Sequence, residues 1–132
     1  MLEIARNFGN GPLKRKDIAL SQDLSNAYLE NILISLKTKG LIKTVRGASG
    51  GFSLAREPAT ITVLDIVVAL EGSIAPVDCI EQSKACPKSK SCVTRRVWNK
   101  MYDAQVAVLG GISLADLLDW EKQGDAVMTY AI

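Results

Sequence analysis

The sequence predicts a mainly α-helical fold that carries one small β-hairpin. Residues 14–39 form a short helical segment, a turn and a longer helical segment. Residues 41–55 form two strand-like runs around a glycine-rich turn, and an apolar seam repeats with helical spacing between Val93 and Leu109. With 132 residues, 48% of them hydrophobic, the chain is long enough for one domain with a buried core.

Breakers divide the N-terminal half into separate helices. Met1 to Phe8 has the apolar spacing of a helix end, and the Gly-Asn-Gly-Pro sequence at residues 9–12 interrupts it. A short helix is predicted from Lys14 to Leu20. After a turn, Ser25 can cap a longer helix from Asn26 to Lys39.

A hairpin and a further helix follow in the sequence. Leu41–Arg46 and Phe52–Ala55 are strand-like and flank a turn rich in glycine, which predicts an antiparallel β-hairpin. Thr62 and Asp65 have the spacing of a capping box, with Asp in place of the usual Glu or Gln. This box predicts a helix that runs to Leu70.

The longest predicted helix lies in the C-terminal part of the chain. Its apolar residues recur at steps of 4, 4, 3 and 4, a spacing that pairs helices; they are Val93, Val97, Met101, Ala104 and Val108. Such a seam can pack against its own domain. Because a complete small domain precedes it, we expect it to pair with a second copy of the chain in a homodimer. A last short helix is predicted from Ser113 to Gln123.

Basic residues are concentrated in the first half of the chain. Residues 1–56 hold nine Lys or Arg against four Asp or Glu, a net charge of +5. Residues 57–132 hold seven against ten, a net charge of −3, so the total is +2. A basic half beside an acidic half favours a polyanionic partner, although a solvated basic surface gives the same balance.

The order of the elements is that of a winged helix-turn-helix. In such proteins the second helix enters the major groove of double-stranded DNA, and its N-terminal residues meet the base edges. We therefore predict DNA binding by Lys14, Arg15, Lys16, Ser25, Asn26, Tyr28, Glu30 and Arg46. The alternative is that these are solvated side chains on a helical interaction module.

The predicted DNA contacts differ in their chemistry. Lys14, Arg15 and Lys16 suit phosphate groups, which supply affinity without sequence information. Glu30 can accept a hydrogen bond from the amino group of cytosine and repels phosphate, so it would select among sequences. Arg46, at the hairpin, suits a narrow minor groove.

All three cysteines of the chain lie in one short stretch, at Cys79, Cys86 and Cys92. Lysine and arginine side chains nearby in the sequence favour thiolates, the form that ligates metal. Three thiolates on one loop suit an iron–sulfur cluster or a zinc ion, with a fourth ligand from elsewhere. Unrelated thiols, or one disulfide and a free cysteine, are the alternatives, and an odd count disfavours a simple disulfide framework.

The remaining composition bears on location. No apolar run approaches the length that spans a bilayer, so no membrane association is expected. The N-terminus lacks the basic and apolar regions of a secretory signal, so we expect a cytoplasmic protein. A reducing compartment favours metal binding over disulfide formation.

Several of these motifs resemble the Rrf family of bacterial winged-helix transcription regulators. The stretch Ser25-Asn-Ala-Tyr-Leu-Glu30 is similar to the family's Ser-x-x-Tyr-Leu-Glu in the recognition helix. The stretch Gly40 to Phe52 is similar to its wing, with Val45-Arg46-Gly47 and the Gly50-Gly51 pair. Further likeness lies in Ile61-Thr-Val63 with Leu70-Glu-Gly72, and in residues 112–117.

This resemblance implies homodimers that bind inverted-repeat promoter sites. In cluster-binding members, three cysteines before the dimer helix hold an iron–sulfur cluster, and Cys79, Cys86 and Cys92 occupy those positions. The resemblance favours [2Fe–2S] over [4Fe–4S], and we expect aerobic preparations to lack the cluster. It also implies DNA contacts by Ser25 and Glu30, as well as by Arg46 of the wing.

Two features depart from the family pattern. IscR-type members carry a histidine ligand three residues after the third cysteine, where this chain has Arg95 and has no histidine at all. NsrR-type members take an acidic ligand from the first helix of the partner subunit, but this sequence begins part-way into the family pattern. The fourth cluster ligand is therefore not identified by the sequence.

The leading functional hypothesis is a repressor of the IscR or NsrR type whose promoter affinity depends on an iron–sulfur cluster. One alternative is a cluster-free, CymR-like regulator that responds to thiol oxidation or to a partner enzyme; another is a metal-binding interaction module without DNA. An enzyme with a small-molecule substrate is not expected, since nucleophile and phosphate-loop motifs are absent. The expected parts are a DNA-binding domain with a truncated first helix at residues 1–72, a cluster loop at 73–92 and a dimerisation region at 93–132.

Overall fold

The computed structural model describes residues 1–124. They form six α-helices and one two-stranded sheet, in the order α1 (Leu2–Arg6), α2 (Arg15–Ser21), α3 (Asn26–Thr38), β1 (Ile42–Val45), β2 (Gly51–Leu54), α4 (Val63–Glu71), α5 (Arg95–Gly110) and α6 (Leu114–Lys122). Short 3₁₀ turns lie at Pro58–Thr60, Asp78–Ile80 and Ser83–Ala85. The predicted fold class is confirmed, and the predicted helices and strands are found with small shifts of their ends.

The core is built around α3. Leu29, Leu33 and Leu36 recur on one face of this helix and are all buried, because their spacing keeps them on a single stripe. They belong to one cluster with the buried side chains of α2 and with Ile61 and Leu114, which have no solvent exposure. The opposite face of α3 is thereby left to solvent.

Strand β2 pairs on its other side with Leu13, a contact that the sequence does not predict. Strands β1 and β2 pair in antiparallel register, with Ile42 opposite Leu54 and Val45 opposite Gly51. On the other side of β2, the N–H of Leu13 donates to the carbonyl of Phe52 at 2.9 Å, and the N–H of Phe52 donates back at 2.8 Å. This pairing fixes the chain just before α2 against the wing.

Gly51 permits that close approach. A Cβ atom built at this position would lie 2.2 Å from the carbonyl oxygen of Leu13 and 2.6 Å from its carbon. Both are backbone atoms, so a side chain at residue 51 could be accommodated only by separating the two chain segments.

Helices α4 and α6 both begin with a capping box, and backbone contacts hold these two helix starts together. Thr62 and Asp65 cap α4, as the sequence predicts, and Ser113 with Asp116 caps α6 in the same way. The N–H of Val63 donates to the carbonyl of Ile112 at 2.8 Å, beside an antiparallel bridge between Thr62 and Ser113. The starts of α4 and α6 are therefore held side by side.

Helix α6 returns to the first helix of the chain. It packs against α1, where the Arg6 guanidinium pairs with the carboxylate of Glu121 and also contacts Glu3. The hydrogen bond from Arg6 holds the pKa of Glu121 below its ordinary value. The N- and C-terminal helices of the described chain thus form one side of the same body.

Helix α5 lies on the outside of this body. It begins at Arg95, two residues after the predicted start, and packs against α4 and the turn at Asp78–Ile80. Side chains such as Trp98, Tyr102 and Val106 are partly buried against the protomer, and none in the helix is fully buried. Among residues 1–124, no helix is both long and apolar enough to cross a membrane.

Candidate functional site

The helix-turn-helix has the local geometry that its sequence predicts. Asp23 adopts a left-handed backbone conformation with φ of 51°, and the N–H of Leu24 donates to the carbonyl of Ala19 at 2.9 Å, so the chain reverses sharply after α2. Ser25 then caps α3, because its hydroxyl oxygen accepts from the N–H of Tyr28 at 3.2 Å. The first turn of α3 after this cap, Asn26 to Tyr28, is exposed.

All eight residues predicted to contact DNA are exposed: Lys14, Arg15, Lys16, Ser25, Asn26, Tyr28, Glu30 and Arg46. Tyr28 is 58% exposed in the first turn of α3, so its ring and hydroxyl are accessible to a partner. Lys14 occupies the N-cap position of α2 without a side-chain cap, and Arg46 lies in the turn directly after β1. The first helical turns of α2 and α3 therefore share a polar surface with the wing.

One direct contact joins two of these residues. The Nη1 atom of Arg15 lies 2.9 Å from Oε2 of Glu30, so a residue predicted to bind phosphate is paired with one predicted to read bases. The pair borders a notch of about 250 Å³ between α3 and the wing, which is also lined by Leu33, Ile34, Lys37, Thr44 and Phe52. Sequence reasoning missed Lys37 and Thr44, because only the folded hairpin brings Thr44 of β1 beside Lys37 of α3.

The three cysteines line a second site, a pocket of about 330 Å³ before α5. Cys79, Cys86 and Cys92 are all free and partly buried. The other lining residues are Val77, Asp78, Ala85, Thr94, Arg95 and Trp98. The structure thus brings the predicted thiols to one pocket, although 13 positions of chain separate the first from the last.

Hydrogen bonds hold the segment from Cys79 to Cys92, called here the cysteine loop, in place. Nε of Arg95 donates to the carbonyl of Cys79 at 3.1 Å, which ties the start of the loop to the start of α5. Ser89 is buried, and its hydroxyl donates to the carbonyl of Ser83 at 2.7 Å. Arg95 occupies the position at which IscR-type members have a histidine. In this chain its side chain supports the loop by binding the backbone carbonyl of Cys79.

The pocket has the donor chemistry of an iron–sulfur site but not its final geometry. Thiolates are the ligands that such clusters prefer, and Asp78 adds one carboxylate to the lining. Within residues 1–124, however, no three Cys, His, Asp or Glu side chains converge closely enough to hold one metal ion. The thiols share a pocket, and cluster binding would have to draw them together.

Cys92 differs in its electrostatic surroundings. Its sulfur lies 3.1 Å from the hydroxyl oxygen of Thr94, and this hydrogen bond, with the backbone N–H of Arg95, lowers the pKa of the thiol from its ordinary value. Both interactions stabilise the thiolate rather than the thiol. Cys92 is therefore the thiolate-prone end of the loop.

A pH series should reveal this effect in the cluster-free protein. We expect alkylation of Cys92 by iodoacetamide, followed by mass spectrometry of its peptide, to have a midpoint below that of an ordinary thiol, because only the thiolate reacts. Thr94→Val removes the hydroxyl and should raise the midpoint, whereas Thr94→Ser should keep it low. An unchanged midpoint in Thr94→Val would contradict the role of the hydroxyl.

Nearly the whole chain matches known proteins. A family model described as Rrf2, iron-dependent transcriptional regulator, matches residues 1–120. The chain belongs to the Rrf2 family. The resemblance inferred from the recognition helix and the wing is therefore confirmed.

Curated relatives in the Rrf2 family include regulators named CymR and IscR. The HTH-type transcriptional regulator CymR of Bacillus subtilis is 37% identical over 131 residues, which cover 98% of this chain and 90% of the relative. The regulator IscR of Xenorhabdus nematophila is 31% identical over 118 residues, which cover 89% and 71%. These relatives are transcriptional regulators and not enzymes, so the present chain is an Rrf2-family transcriptional regulator.

Solved structures similar to this chain also include one CymR and one IscR. CymR of B. subtilis, described as the global cysteine regulator, superposes with a TM-score of 0.73 at 39% identity, covering 90% of this chain and 87% of that one. IscR of T. potens superposes with a TM-score of 0.75 at 39% identity, covering 98% and 85%. The fold is therefore shared with both proteins.

Proposed function

We propose that this protein is a promoter-binding repressor that acts as a homodimer and whose DNA affinity depends on an iron–sulfur cluster held by Cys79, Cys86 and Cys92. The observation that carries the proposal is the single pocket lined by all three cysteines at the start of α5. That pocket touches the helix expected to join two subunits. A change in the loop can thereby alter the spacing of two recognition helices.

The support for DNA binding comes from the charged surface around α3. Lys14 and Lys16 extend from the start of α2 and suit phosphate oxygens on either side of the groove. Asn26 and Glu30, in the first turns of α3, have the donors and acceptors that read base edges. Arg46 extends the surface to the wing, where a minor groove would lie.

The support for a homodimer is the outward face of α5. Val93, Val97 and Val108 are 77%, 60% and 60% exposed, and Met101 is 41% exposed. The four recur with the spacing of a helix-pairing seam. Val97, Met101 and Val108 lie on the side of α5 away from its own domain, and Val93 comes just before the helix. A second copy of the same helix would bury this apolar row and place two recognition helices on one duplex.

The cysteine pocket supplies the sensing chemistry in this proposal. Three thiolates would bind the cluster, with Asp78 as a candidate fourth ligand from the same lining. A bound cluster would supply an oxygen-sensitive redox centre, and a [2Fe–2S] cluster is favoured. A carboxylate is a harder ligand than a thiolate or an imidazole, so loss of the cluster in air is expected. Arg95 would keep Cys79 close to α5 in either state.

A second candidate function is a cluster-free regulator whose thiols respond directly to oxidants or whose activity depends on a partner enzyme. Two observations favour it. The described side chains do not converge into a metal site, and Cys92 has a lowered pKa that increases its reactivity. Similarity to CymR over nearly the whole chain is consistent with this mode as well.

Anaerobic reconstitution separates the two candidates. We expect iron and sulfide to give a coloured dimer with one cluster per subunit, and binding to promoter DNA to change when the cluster is removed. Replacement of any one cysteine by alanine should abolish the visible absorption but leave the far-ultraviolet circular dichroism unchanged. A colourless wild-type protein with unchanged DNA binding would favour the cluster-free regulator.

The proposed reading of bases by Glu30 has its own test. We expect Glu30→Ala to bind non-cognate duplexes more tightly and to lose preference at one base pair of the site, because the carboxylate both accepts from cytosine and repels phosphate. Lys16→Ala should instead weaken all duplexes alike and lower the salt slope by about one unit. Equal loss on every duplex for Glu30→Ala would contradict a selective role.

A further inference from the structure

The three basic residues at the start of α2 do not have the same surroundings. Lys14 and Lys16 are exposed, and neither forms an ion pair within residues 1–124. Arg15, between them, reaches across to α3 and pairs with Glu30 at 2.9 Å. Its charge is therefore already engaged on the recognition helix, whereas both lysines are available to phosphate.

The backbone holds both members of this pair in place. Arg15 is the first residue of α2 and comes two positions after Leu13, which is attached to the wing by two hydrogen bonds with Phe52. Glu30 lies one turn into α3, next to buried Leu29 and after the Ser25 cap. The two side chains are 42% and 54% exposed. An exposed pair contributes little to stability, so removing it should leave the fold intact.

The pairing leaves part of the carboxylate available. Arg15 forms an ion pair with Oε2 of Glu30, and no side chain among residues 1–124 makes a hydrogen bond to this carboxylate, so Oε1 is available to an external donor. A guanidinium on one oxygen restricts the rotation of the carboxylate and offsets its repulsion by nearby phosphates. Both effects favour an acidic side chain that must enter the field of a DNA groove.

We propose that Arg15 determines specificity through Glu30: it orients and neutralises the carboxylate that reads a base, and it is not principally a phosphate anchor. The inference rests on the proposed DNA-binding function of α3. Lys14 and Lys16 keep the phosphate role, so adjacent residues of one basic run have different tasks.

A double-mutant cycle on DNA discrimination tests this role. Selection from random duplexes by the wild-type protein defines a preferred site, and Glu30→Ala identifies the base pair whose preference depends on Glu30. The ratio of the dissociation constant for its one-base-pair variant to that for the preferred site is then measured for Arg15→Gln, Glu30→Ala, the double variant and Lys16→Gln. Arg15→Gln should lower the ratio about tenfold and have no further effect when Glu30 is already alanine.

Lys16→Gln is the matched control, since it removes one charge from the neighbouring position. It should weaken both duplexes equally and leave the ratio unchanged. The inference is overturned if Arg15→Gln behaves like Lys16→Gln, if its effect on the ratio adds fully to that of Glu30→Ala, or if it lowers the thermal midpoint strongly. Failure of the wild-type protein to select any sequence would overturn the proposed function itself.

Discussion

Replacing Val97 and Met101 together by glutamate is expected to convert the protein to a monomer and to weaken promoter binding by about 10²–10⁴-fold. Both side chains lie on the outward face of α5, whose other face packs against α4 and the cysteine loop of its own protomer. Two buried carboxylates without partners would oppose pairing of the seam. Separate monomers lose the advantage of binding two half-sites about 34 Å apart as one unit.

Analytical ultracentrifugation and gel-shift titration measure the two effects. Arg96→Glu is a matched control, because it changes the charge by the same two units from an exposed position beside the seam. It should remain dimeric. If the double variant still sediments as a dimer, the subunit interface lies elsewhere and the proposed role of α5 is wrong.

Gly51→Ala is expected to destabilise the protein by about 3 kcal/mol and to lower its melting temperature by roughly 10 °C. The new methyl group would overlap the backbone of Leu13, at 2.2 Å from its carbonyl oxygen and 3.0 Å from the nitrogen of Lys14. Backbone atoms cannot rotate away as a side chain can, so the pairing between Leu13 and Phe52 should break. The wing and the start of α2 would then lose their fixed relation, and DNA affinity should fall as well.

Gly110→Ala serves as the control for this substitution. Its Cβ atom would meet only the side chain of Leu64 at 3.6 Å, an ordinary contact, and its backbone is helical. Alanine has the higher helix propensity, so this variant should be neutral or slightly more stable. Thermal unfolding followed by circular dichroism compares the two, and an equal response would contradict the steric argument at residue 51.

The sequence predicts those parts of the structure that depend on local patterns. The capped recognition helix after Ser25, the hairpin around the Gly47 turn and the capping box at Thr62 each depend on residues a few positions apart, and all three are confirmed. The exposed seam of α5 follows in the same way from helical spacing. The predicted start at Val93 is two residues early, because Val93 and Thr94 still belong to the turn that leaves the cysteine loop.

Contacts between distant segments are not contained in such patterns. The pairing of Leu13 with Phe52, the bridge between Thr62 and Ser113 and the ion pair of Arg15 with Glu30 all depend on how the elements pack. No periodicity or motif marks their partners.

The cysteine site is predicted from the sequence only in part. Their clustering in the sequence predicts that they share a site, and they do line one pocket. The distances among thiols on an irregular loop depend on the conformation of that loop, which the spacing of Cys79, Cys86 and Cys92 leaves open.

The bridge between Thr62 and Ser113 joins two positions that are far apart in the sequence. Thr62 and Ser113 are neighbours in space, and the residues between them contain α4, whose Ala69 belongs to the buried core of the body, followed by the cysteine loop and α5, which contribute no residue to that core. The proposed sensing and pairing elements are thus an insertion within the helical body and not an appendage at its end. Domains inserted between adjacent chain positions can vary in length and sequence without disturbing the host core. A lineage could therefore exchange the signal that it detects while it keeps the same surface for DNA.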